Sequence, residues 1–251
     1  MFSLKGQTIL VMGASSGLGK SAVECYCMAG AHVIMAARNK DALEAYAKEL
    51  SNVTVIQLDI RRERSVHKAF RVIEDKGLQV DTCLNNAGTF QQTPLFDQEN
   101  HGFEEMIQTN LMGTWYMTKA AACHMRKNKR KGSIIQVSSV NGANYLYGER
   151  AGYCVAKAGV IHLTKALVGE LSSWGIRINT LVPGLFQTPA TQGKIKTSAK
   201  RQSFESKIPL GLIAQPRDLW GALLFFASYA ASRYVTGTTL TLDGGISWGG
   251  A

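Results

Sequence analysis

The sequence lacks several features that would place it outside the class of ordinary globular proteins. No apolar run in its 251 residues approaches the roughly 18 residues that a membrane-spanning helix requires. The first residues do not show the pattern of a signal peptide, so we expect a cytoplasmic protein. The five cysteines are odd in number and lie in apolar segments, which favours reduced thiols over disulfides. Cys25 and Cys27 have no further cysteine or histidine partners of the kind that zinc requires, and we therefore predict no metal site.

Acidic residues are scarce relative to basic ones: the chain has 18 aspartates and glutamates against 28 lysines and arginines, for a net charge of +10. Aromatic residues do not alternate with the basic ones as they do in single-strand binders, so we expect no nucleic-acid partner. Two interpretations remain open, a solvated basic surface or a docking site for an anionic substrate or carrier. The basic residues concentrate in a first cluster of Arg126, Lys127, Lys129, Arg130 and Lys131 and a second cluster of Lys194, Lys196, Lys200, Arg201 and Lys207.

Short apolar runs rich in β-branched residues alternate with stretches of helical spacing along the whole chain. This alternation predicts an α/β fold: a single Rossmann-type domain over 1–251, with a doubly wound, seven-stranded parallel sheet and helices on both faces. The segment 186–210 has no clear period and follows a strand end, so we expect a lid over the active site. Strands are predicted at 8–12, 32–36, 53–58, 81–88, 133–139, 176–182 and 238–242, and helices at 19–29, 40–50, 62–76, 99–127, 151–173 and 216–230.

A glycine-rich turn follows the first predicted strand and opens a helix. Gly13, Gly17 and Gly19 have the spacing G-x-x-x-G-x-G, in the context that a dinucleotide-binding turn requires. Glycines there allow backbone N–H groups to approach a pyrophosphate at the helix N-terminus. The alternative is a tight connection between strand and helix with no ligand.

The residues after the second and third strands indicate which dinucleotide is bound. NAD selection uses an acidic side chain at the end of the second strand, where this chain has Ala37 followed by Arg38. Because a guanidinium suits a 2′-phosphate, we predict NADP(H) rather than NAD(H), the alternative being a surface arginine. Asp59 ends the third strand and could accept a hydrogen bond from the adenine amino group or cap the helix beginning near Arg61.

A second group of polar residues has the composition of a proton-transfer site. Tyr153 and Lys157 lie four residues apart, so on a helix the ammonium can approach the phenol and favour its phenolate. Ser139 ends a strand at the carboxyl edge, where open α/β sheets bind ligands. Asn110 lies in an apolar helix and needs a buried partner. The run NNAG at 85–88 is typical of a turn where backbone approaches a ligand.

Together these motifs resemble the short-chain dehydrogenase/reductase family, and they occur in the family's order over nearly the whole chain. The resemblance is carried by GASSGLG, NNAG, Asn110, Ser139, Tyr153-x-x-x-Lys157, the Pro183–Gly184 pair and VTGTTLTLDGG. Two departures exist. Met12 stands where the family usually has threonine, and the interval from Ser139 to Tyr153 is one residue longer than usual.

The resemblance implies a homotetramer and a role for each matching residue. Ser139 would hold the substrate oxygen, Tyr153 would donate or accept its proton, Lys157 would bind the nicotinamide ribose, and Asn110 would order a water-linked proton path. These four are the predicted catalytic residues. The predicted substrate pocket comprises Ser139, Tyr147 and Phe186. The predicted cofactor-binding residues are Gly13, Ser15, Ser16, Gly17, Leu18, Gly19, Arg38, Asp59, Ile60, Asn86, Ala87, Gly88, Lys157, Pro183, Gly184 and Thr188.

Within the family, the chain is similar both to 3-oxoacyl-carrier-protein reductases and to gluconate-type sugar-acid dehydrogenases. The first basic cluster could dock an acidic acyl carrier protein, and Arg130 matches a carrier-contacting position of those reductases. Trp174 occupies the place of a second carrier-binding arginine. The expected activity is therefore reversible hydride transfer between NADP(H) and a small carbonyl or secondary-alcohol substrate, with a 3-oxoacyl thioester as first choice and a sugar or sugar acid as the alternative. A catalytically silent dinucleotide-binding or nucleic-acid-binding protein is the alternative of another class.

Overall fold

A computed structural model describes residues 2–96, 101–144 and 148–249 as a seven-stranded sheet covered by helices. The predicted strand at 81–88 ends early, at Asn85, because Asn86, Ala87 and Gly88 leave the sheet. The other six strands agree with the prediction within two residues at each end. The strands are β1 Thr8–Met12, β2 His32–Ala37, β3 Val53–Gln57, β4 Thr82–Asn85, β5 Ser133–Val137, β6 Arg177–Pro183 and β7 Thr239–Leu242.

All six strand pairs are parallel, in the order β3-β2-β1-β4-β5-β6-β7. The chain therefore moves outward from β1 to β3, crosses back, and continues outward in the other direction from β4. The carboxyl ends of β1 and β4 diverge at this reversal and leave the crevice in which such sheets bind ligands. The predicted doubly wound α/β fold is confirmed.

The two faces of the sheet bury separate apolar cores. Ile9 and Val11 point to one face, where helices α1 and α10 pack, and Leu10 and Met12 point to the other, against α3 and α5. The helices are α1 Gly17–Met28, α2 Lys40–Ala47, α3 Glu63–Asp75, α4 Gly102–Met106, α5 Gly113–Lys127, α6 Ala151–Ala166, α7 Val168–Ser172, α8 Pro189–Gln192, α9 Ser198–Glu205, α10 Trp220–Ala227 and α11 Tyr229–Ser232.

The helix predicted at 99–127 is observed from Gly102, residues 99 and 100 lying outside the described part of the chain. Between α4 and α5 it contains a π-helical segment, Ile107–Met112, that includes Asn110. Such segments are rare and are frequent at functional sites. No helix within the described ranges is long and apolar enough to cross a membrane.

The segment 186–210 contains short helices rather than the loop that its composition suggested. It forms α8, a 3₁₀ turn at Gly193–Ile195 and α9. Ile195 and Ile208 are buried and pack into a small core with Val182 and Ile246. The segment is therefore anchored near its middle and near its end by Ile195 and Ile208, and its function as a lid stays a prediction.

Candidate active site

A cleft of about 1050 Å³ opens at the carboxyl edge of the sheet, where β1 and β4 diverge. It brings together every predicted site residue except Gly19, which lies beneath the turn, and Tyr147, which lies outside the described residues. One continuous surface thus contains the glycine turn, the ends of β2 and β3, the NNAG turn, Asn110 and the Ser139–Tyr153–Lys157 group.

The glycine turn forms a cradle that side chains would close. Gly13 and Gly17 have φ angles of +72° and +54°, which glycine adopts at little cost. A Cβ on Gly13 would lie 3.0 Å from the Cα of Ala87, and one on Gly19 would overlap the carbonyl oxygen of Gly13. Ser16 makes no side-chain capping bond, so its hydroxyl leaves the first N–H groups of α1 open to an anion. These features fit the pyrophosphate of a dinucleotide.

Met12 departs from the family pattern without disturbing the turn. Its side chain is 1% exposed and packs in the core with α3 and α5. Its carbonyl oxygen accepts a hydrogen bond from Asn86 Nδ2 at 3.3 Å, which connects the turn to the loop after β4. Asn86 therefore contributes to the shape of the cleft through the backbone of β1.

The far end of the cleft is lined by charged residues that follow β2 and β3. Arg38 is exposed there, one residue after β2. Asp59 accepts a bidentate pair from Arg61, with Nη2 to Oδ2 at 2.7 Å and Nε to Oδ1 at 3.0 Å. The Arg61 pairing lowers the pKa of the carboxyl, and the charge of Arg38 contributes. Asp59 does not cap α3, which begins at Glu63. Ile60 is buried against Gly113.

Ser139, Tyr153 and Lys157 come together where β5 ends beside α6. The Ser139 side chain lies close enough to the Tyr153 hydroxyl to lower the pKa of the phenol. Ser139 Oγ accepts from the backbone N–H of Asn141 at 3.2 Å. Lys157 Nζ donates to the carbonyl oxygen of Val137 at 2.8 Å and lies 5.8 Å from the centre of the Tyr153 ring.

Burial shifts the pKa values of Tyr153 and Lys157 in opposite directions. It raises the pKa of Tyr153, although the Ser139 hydroxyl and the charge of Arg150 oppose the shift. It lowers the pKa of Lys157 to about 8. The Lys157 ammonium is held by the Val137 carbonyl and burial dominates the pKa of Tyr153, so the expectation that Lys157 favours the phenolate stays a prediction. Tyr153 is protonated at neutral pH and can donate.

Asn110 clamps the loop that follows β4. Its side chain is fully buried, Oδ1 accepts from the N–H of Thr89 at 2.9 Å, and Nδ2 donates to the carbonyl oxygen of the same residue at 3.0 Å. A Cβ on Gly88 would lie 2.7 Å from Asn110 Oδ1 and 3.4 Å from Lys157 Nζ. The buried Asn110 amide is therefore hydrogen-bonded to the backbone of Thr89, which follows the NNAG turn. Its water-linked proton path stays a prediction.

The opposite wall is built by the segment after β6. Gly184 follows Pro183, donates its N–H to Leu242 at 2.9 Å and leaves room for Asp243, which a Cβ would approach to 2.8 Å. Thr188 begins α8 and lies within 3.5 Å of a Cβ position on Gly17, so it closes the cleft from above. Phe186 is buried while lining the cleft.

The sequence interpretation missed several cleft or near-cleft residues, among them Phe90, Arg150 and Arg61. Phe90 packs edge-on against Tyr153 with ring centres 5.3 Å apart. The guanidinium of Arg150 lies 5.1 Å from the centre of the Phe90 ring and donates to Asn141 Oδ1 at 3.3 Å. Arg61 pairs with Asp59. The only available signal was for Arg61, which stands two residues after an aspartate at a strand end.

The first basic cluster lies outside the cleft and is partly neutralised by the protein itself. Arg130 Nη2 pairs with Asp81 Oδ1 at 2.7 Å, and Asp81 Oδ2 accepts the N–H of Thr8 at 2.8 Å. Lys127 pairs with Glu74 at 2.7 Å, and Arg126 lies over Trp174 at 5.1 Å. Lys129 and Lys131 are exposed. Arg130 therefore ties the segment before β5 to Asp81, just before β4, and its contact with a carrier protein stays a prediction.

In the described ranges, no three His, Cys, Asp or Glu side chains form a group that could hold a metal ion.

The comparisons with known proteins identify a family. The model of a family described as enoyl-(acyl carrier protein) reductase matches residues 13–247. The 3-oxoacyl-[acyl-carrier-protein] reductase of Vibrio cholerae is 34% identical over 245 residues, which cover 97% of this chain and 98% of that protein.

Solved structures show the same relationship. A putative gluconate dehydrogenase from Agrobacterium tumefaciens has a TM-score of 0.93 and 28% identity, with 98% of each chain covered. A gluconate 5-dehydrogenase from Burkholderia cenocepacia, in complex with NADP and tartrate, has a TM-score of 0.90 and 28% identity over 98% of this chain and 96% of that one. The order of the sheet, the cleft and these matches agree with the resemblance found in the motifs: the chain belongs to the short-chain dehydrogenase/reductase family of oxidoreductases.

Proposed function

We propose that the protein is an NADP(H)-dependent reductase that acts on a 3-oxoacyl thioester carried by an acyl carrier protein. The observation that carries the proposal is the assembly of Ser139, Tyr153 and Lys157 with Asn110 beside a cleft of dinucleotide size. The cleft has room for a dinucleotide and for a substrate next to Tyr153.

Cofactor choice is supported by the charges at the far end of the cleft. Arg38 lies where a 2′-phosphate of the adenosine ribose is expected, and no carboxylate stands at the end of β2 to favour a free hydroxyl. The gluconate 5-dehydrogenase similar to this chain was solved with NADP. The glycine cradle and the N-terminus of α1 would hold the pyrophosphate, and Lys157 would bond the nicotinamide ribose.

Ser139 and Tyr153 would act together on the carbonyl oxygen of the substrate. The reduced nicotinamide, when bound, supplies a hydride to the carbonyl carbon. Negative charge then develops on the oxygen, where the two hydroxyl groups donate hydrogen bonds and stabilise it. Tyr153 transfers its proton to that oxygen as general acid, which its raised pKa permits because the hydroxyl is protonated at neutral pH.

Lys157 and Asn110 would assist this proton transfer without donating the proton to the substrate themselves. The buried ammonium of Lys157 is fixed by the Val137 carbonyl and lies next to Gly88, close to the Asn110 amide. A positive charge at this distance stabilises the developing tyrosinate electrostatically. Asn110 holds the loop after β4 through Thr89, and we infer that it also orders the water through which the proton of Tyr153 is replaced.

Substrate choice is supported by the relatives in sequence. The 3-oxoacyl-[acyl-carrier-protein] reductase of Vibrio cholerae covers nearly the whole chain, and Lys129 and Lys131 are exposed cations that an acidic carrier could contact. A sugar acid is the second candidate. It is favoured by the gluconate dehydrogenases among the structural matches. It is also favoured by the ion pairs of Arg130 with Asp81 and of Lys127 with Glu74, because these engage two cations that would otherwise be available to a carrier protein.

The family resemblance further supports a homotetramer. A lid is supported by the position of the segment 186–210 after β6, since Thr188, Pro189 and Thr191 at its start line the cleft. Sedimentation velocity at micromolar concentration measures the assembly directly. A tetramer is expected, and a monomer would contradict the inference.

A panel of oxidation assays tests the function. NADPH consumption at 340 nm is measured with an acetoacetyl group on acyl carrier protein, an acetoacetyl thioester of a small thiol, and 5-ketogluconate. The carrier-bound chain is expected to give the highest kcat/KM. The kcat/KM with NADPH should exceed that with NADH by roughly 10- to 150-fold, which corresponds to the free energy of one charge-assisted contact. Arg38→Asp should erase that preference. A higher kcat/KM with 5-ketogluconate would establish the sugar-acid alternative.

A further inference from the structure

A carboxylate lies next to the proposed 2′-phosphate site. Arg38 follows β2 and Asp59 follows β3, and these two strands pair in register as far as Ala37 and Gln57. The side-chain amide of Gln57 donates to the carbonyl oxygen of Arg38 at 3.0 Å, which keeps the two chains together beyond the strands. Asp59 and Arg38 both line the same end of the cleft.

This arrangement is electrostatically unfavourable for a phosphate unless the carboxylate is neutralised. A phosphate monoester carries about −1.5 to −2 charges at neutral pH and would be repelled by an adjacent carboxylate. Asp59 is ionised there, since its pKa is lowered by its pairing with Arg61. A dinucleotide without the 2′-phosphate would not meet this repulsion.

Arg61 provides the closest counter-charge for Asp59, while the more exposed Arg62 has its Nε 4.0 Å from Oδ2. Its Nη2 donates to Oδ2 at 2.7 Å, and its Nε lies 3.0 Å from Oδ1 and 3.2 Å from Oδ2, the geometry of a guanidinium–carboxylate fork. Its backbone N–H also donates to Oδ1 at 3.1 Å. Gln108 holds the Arg61 carbonyl oxygen at 2.9 Å, so the backbone of the pair is tied to the helix that contains Asn110.

We propose that Arg61 is a second determinant of the preference for a 2′-phosphate, because its pairing with Asp59 cancels the negative charge that would repel a phosphate bound at Arg38. This inference rests on the proposed NADP(H) preference. Arg61 acts through Asp59 and is a positioning residue rather than a direct ligand of the phosphate.

The test measures binding alone, by isothermal titration calorimetry of the full chain with adenosine 2′,5′-bisphosphate and with adenosine 5′-monophosphate. The ratio of the two dissociation constants isolates the 2′-phosphate, because both ligands share the adenine and any contact between adenine and Asp59 cancels. We expect Arg61→Met to reduce the preference roughly 3- to 10-fold, the scale of one partly exposed charge. Arg64→Met removes an exposed cation on α3 and is expected to change the ratio less than about 2-fold.

Two further variants separate neutralisation from direct contact. In Arg61→Met combined with Asp59→Asn the repelling charge is gone, so the ratio should return to within about 2-fold of wild type. Asp59→Asn alone leaves Arg61 unpaired and should hold or raise the preference. A fall in the ratio of that single variant, or a failure of the double variant to recover, would overturn neutralisation and indicate direct contact of Arg61 with the phosphate.

The remaining outcomes distinguish this inference from the proposed cofactor. A wild-type protein that binds both ligands equally would contradict the NADP(H) preference and this inference together. If wild type prefers the bisphosphate and Arg38→Ala abolishes the preference, the cofactor proposal stands. An Arg61→Met ratio equal to that of Arg64→Met would then refute the role of Arg61 alone.

Discussion

At the scale of single residues, the site combines a tyrosine and a lysine whose pKa values are shifted in opposite directions by burial. Tyr153 is kept neutral and can donate a proton, while Lys157 carries its charge against a desolvation penalty. The Val137 carbonyl offsets part of that penalty. A buried charge of this kind lowers stability and is consistent with a functional role.

The penalty predicts how stability depends on pH. The pKa of Lys157 is about 8 in the folded protein and about 10.4 in an unfolded chain, so the unfolded chain binds more protons between these values. The difference in the free energy of unfolding between wild type and Lys157→Met should therefore shift in favour of wild type by about 3 kcal/mol as the pH is raised from 7 to 10.5. Urea unfolding of both proteins at each pH measures the difference, in which other titrating groups cancel. A difference that is constant or falls with pH would contradict the assigned shift.

At the scale of elements, the catalytic group depends on a close approach between the turn after β5 and helix α6. Gly142 ends the 3₁₀ turn at Val140–Gly142, and a Cβ there would overlap the backbone of Lys157. The hydroxyl of Ser138 donates to the carbonyl oxygen of Lys157 at 2.7 Å across the same contact. Ser139 on one element and Tyr153 on the other are aligned by this packing.

Gly142→Ala should therefore displace α6 and damage the alignment. We expect a loss of about 1–3 kcal/mol in the free energy of unfolding, the cost of overpacking a tight contact, together with a lower kcat. Gly148→Ala is the matched control, because a Cβ at that glycine would meet no atom within 4 Å, and its effect should stay within about 0.5 kcal/mol. Urea unfolding and NADPH oxidation measure both. Equal stability of the two variants would show that the contact can relax.

The proposed lid makes a separate prediction for α8 and α9. Lys196 and Lys200 are exposed on this segment and are available to trypsin. If the segment closes on ligand, NADPH with a substrate analogue should slow cleavage after these lysines, while cleavage after the exposed Lys48, which follows α2, should not change. Mass spectrometry of timed digests reports both sites. Unchanged cleavage after Lys196 and Lys200 would contradict closure and indicate that the segment does not move when ligand binds.

At the scale of the whole molecule, local motifs were predictable from sequence and contacts between distant segments were not. The glycine turn and the Tyr153–Lys157 spacing are set by short stretches of backbone, so their positions in the cleft agree with the prediction. The pairing of Arg130 with Asp81 joins residues brought together only when β4 and β5 pair, and composition cannot show it. Phe90 likewise reaches Tyr153 only through the fold.

The surface charge makes the prediction that separates the two substrate classes. Lys129 and Lys131 are exposed cations of the first cluster for which neither an ion pair nor a ring contact is described. Reversing both to glutamate should raise KM for a carrier-bound chain roughly 3- to 10-fold, by the loss of two exposed ion pairs, and should leave kcat on a small thioester near wild type. The effect should shrink with salt. As a control, Lys48→Glu with Lys68→Glu makes the same charge change just after α2 and on α3. Equal KM values for the two double variants would remove the support for carrier docking.

The central claim is that Tyr153 supplies the proton in a hydride transfer at this cleft, and Tyr153→Phe tests it most directly. The variant keeps the ring that packs against Phe90 and removes the hydroxyl beside Ser139. NADPH affinity, measured by fluorescence titration, should remain within about 3-fold of wild type, while kcat for NADPH oxidation with an acetoacetyl thioester should fall by roughly 10² or more. A phenylalanine variant that retains most of the wild-type kcat would contradict the account.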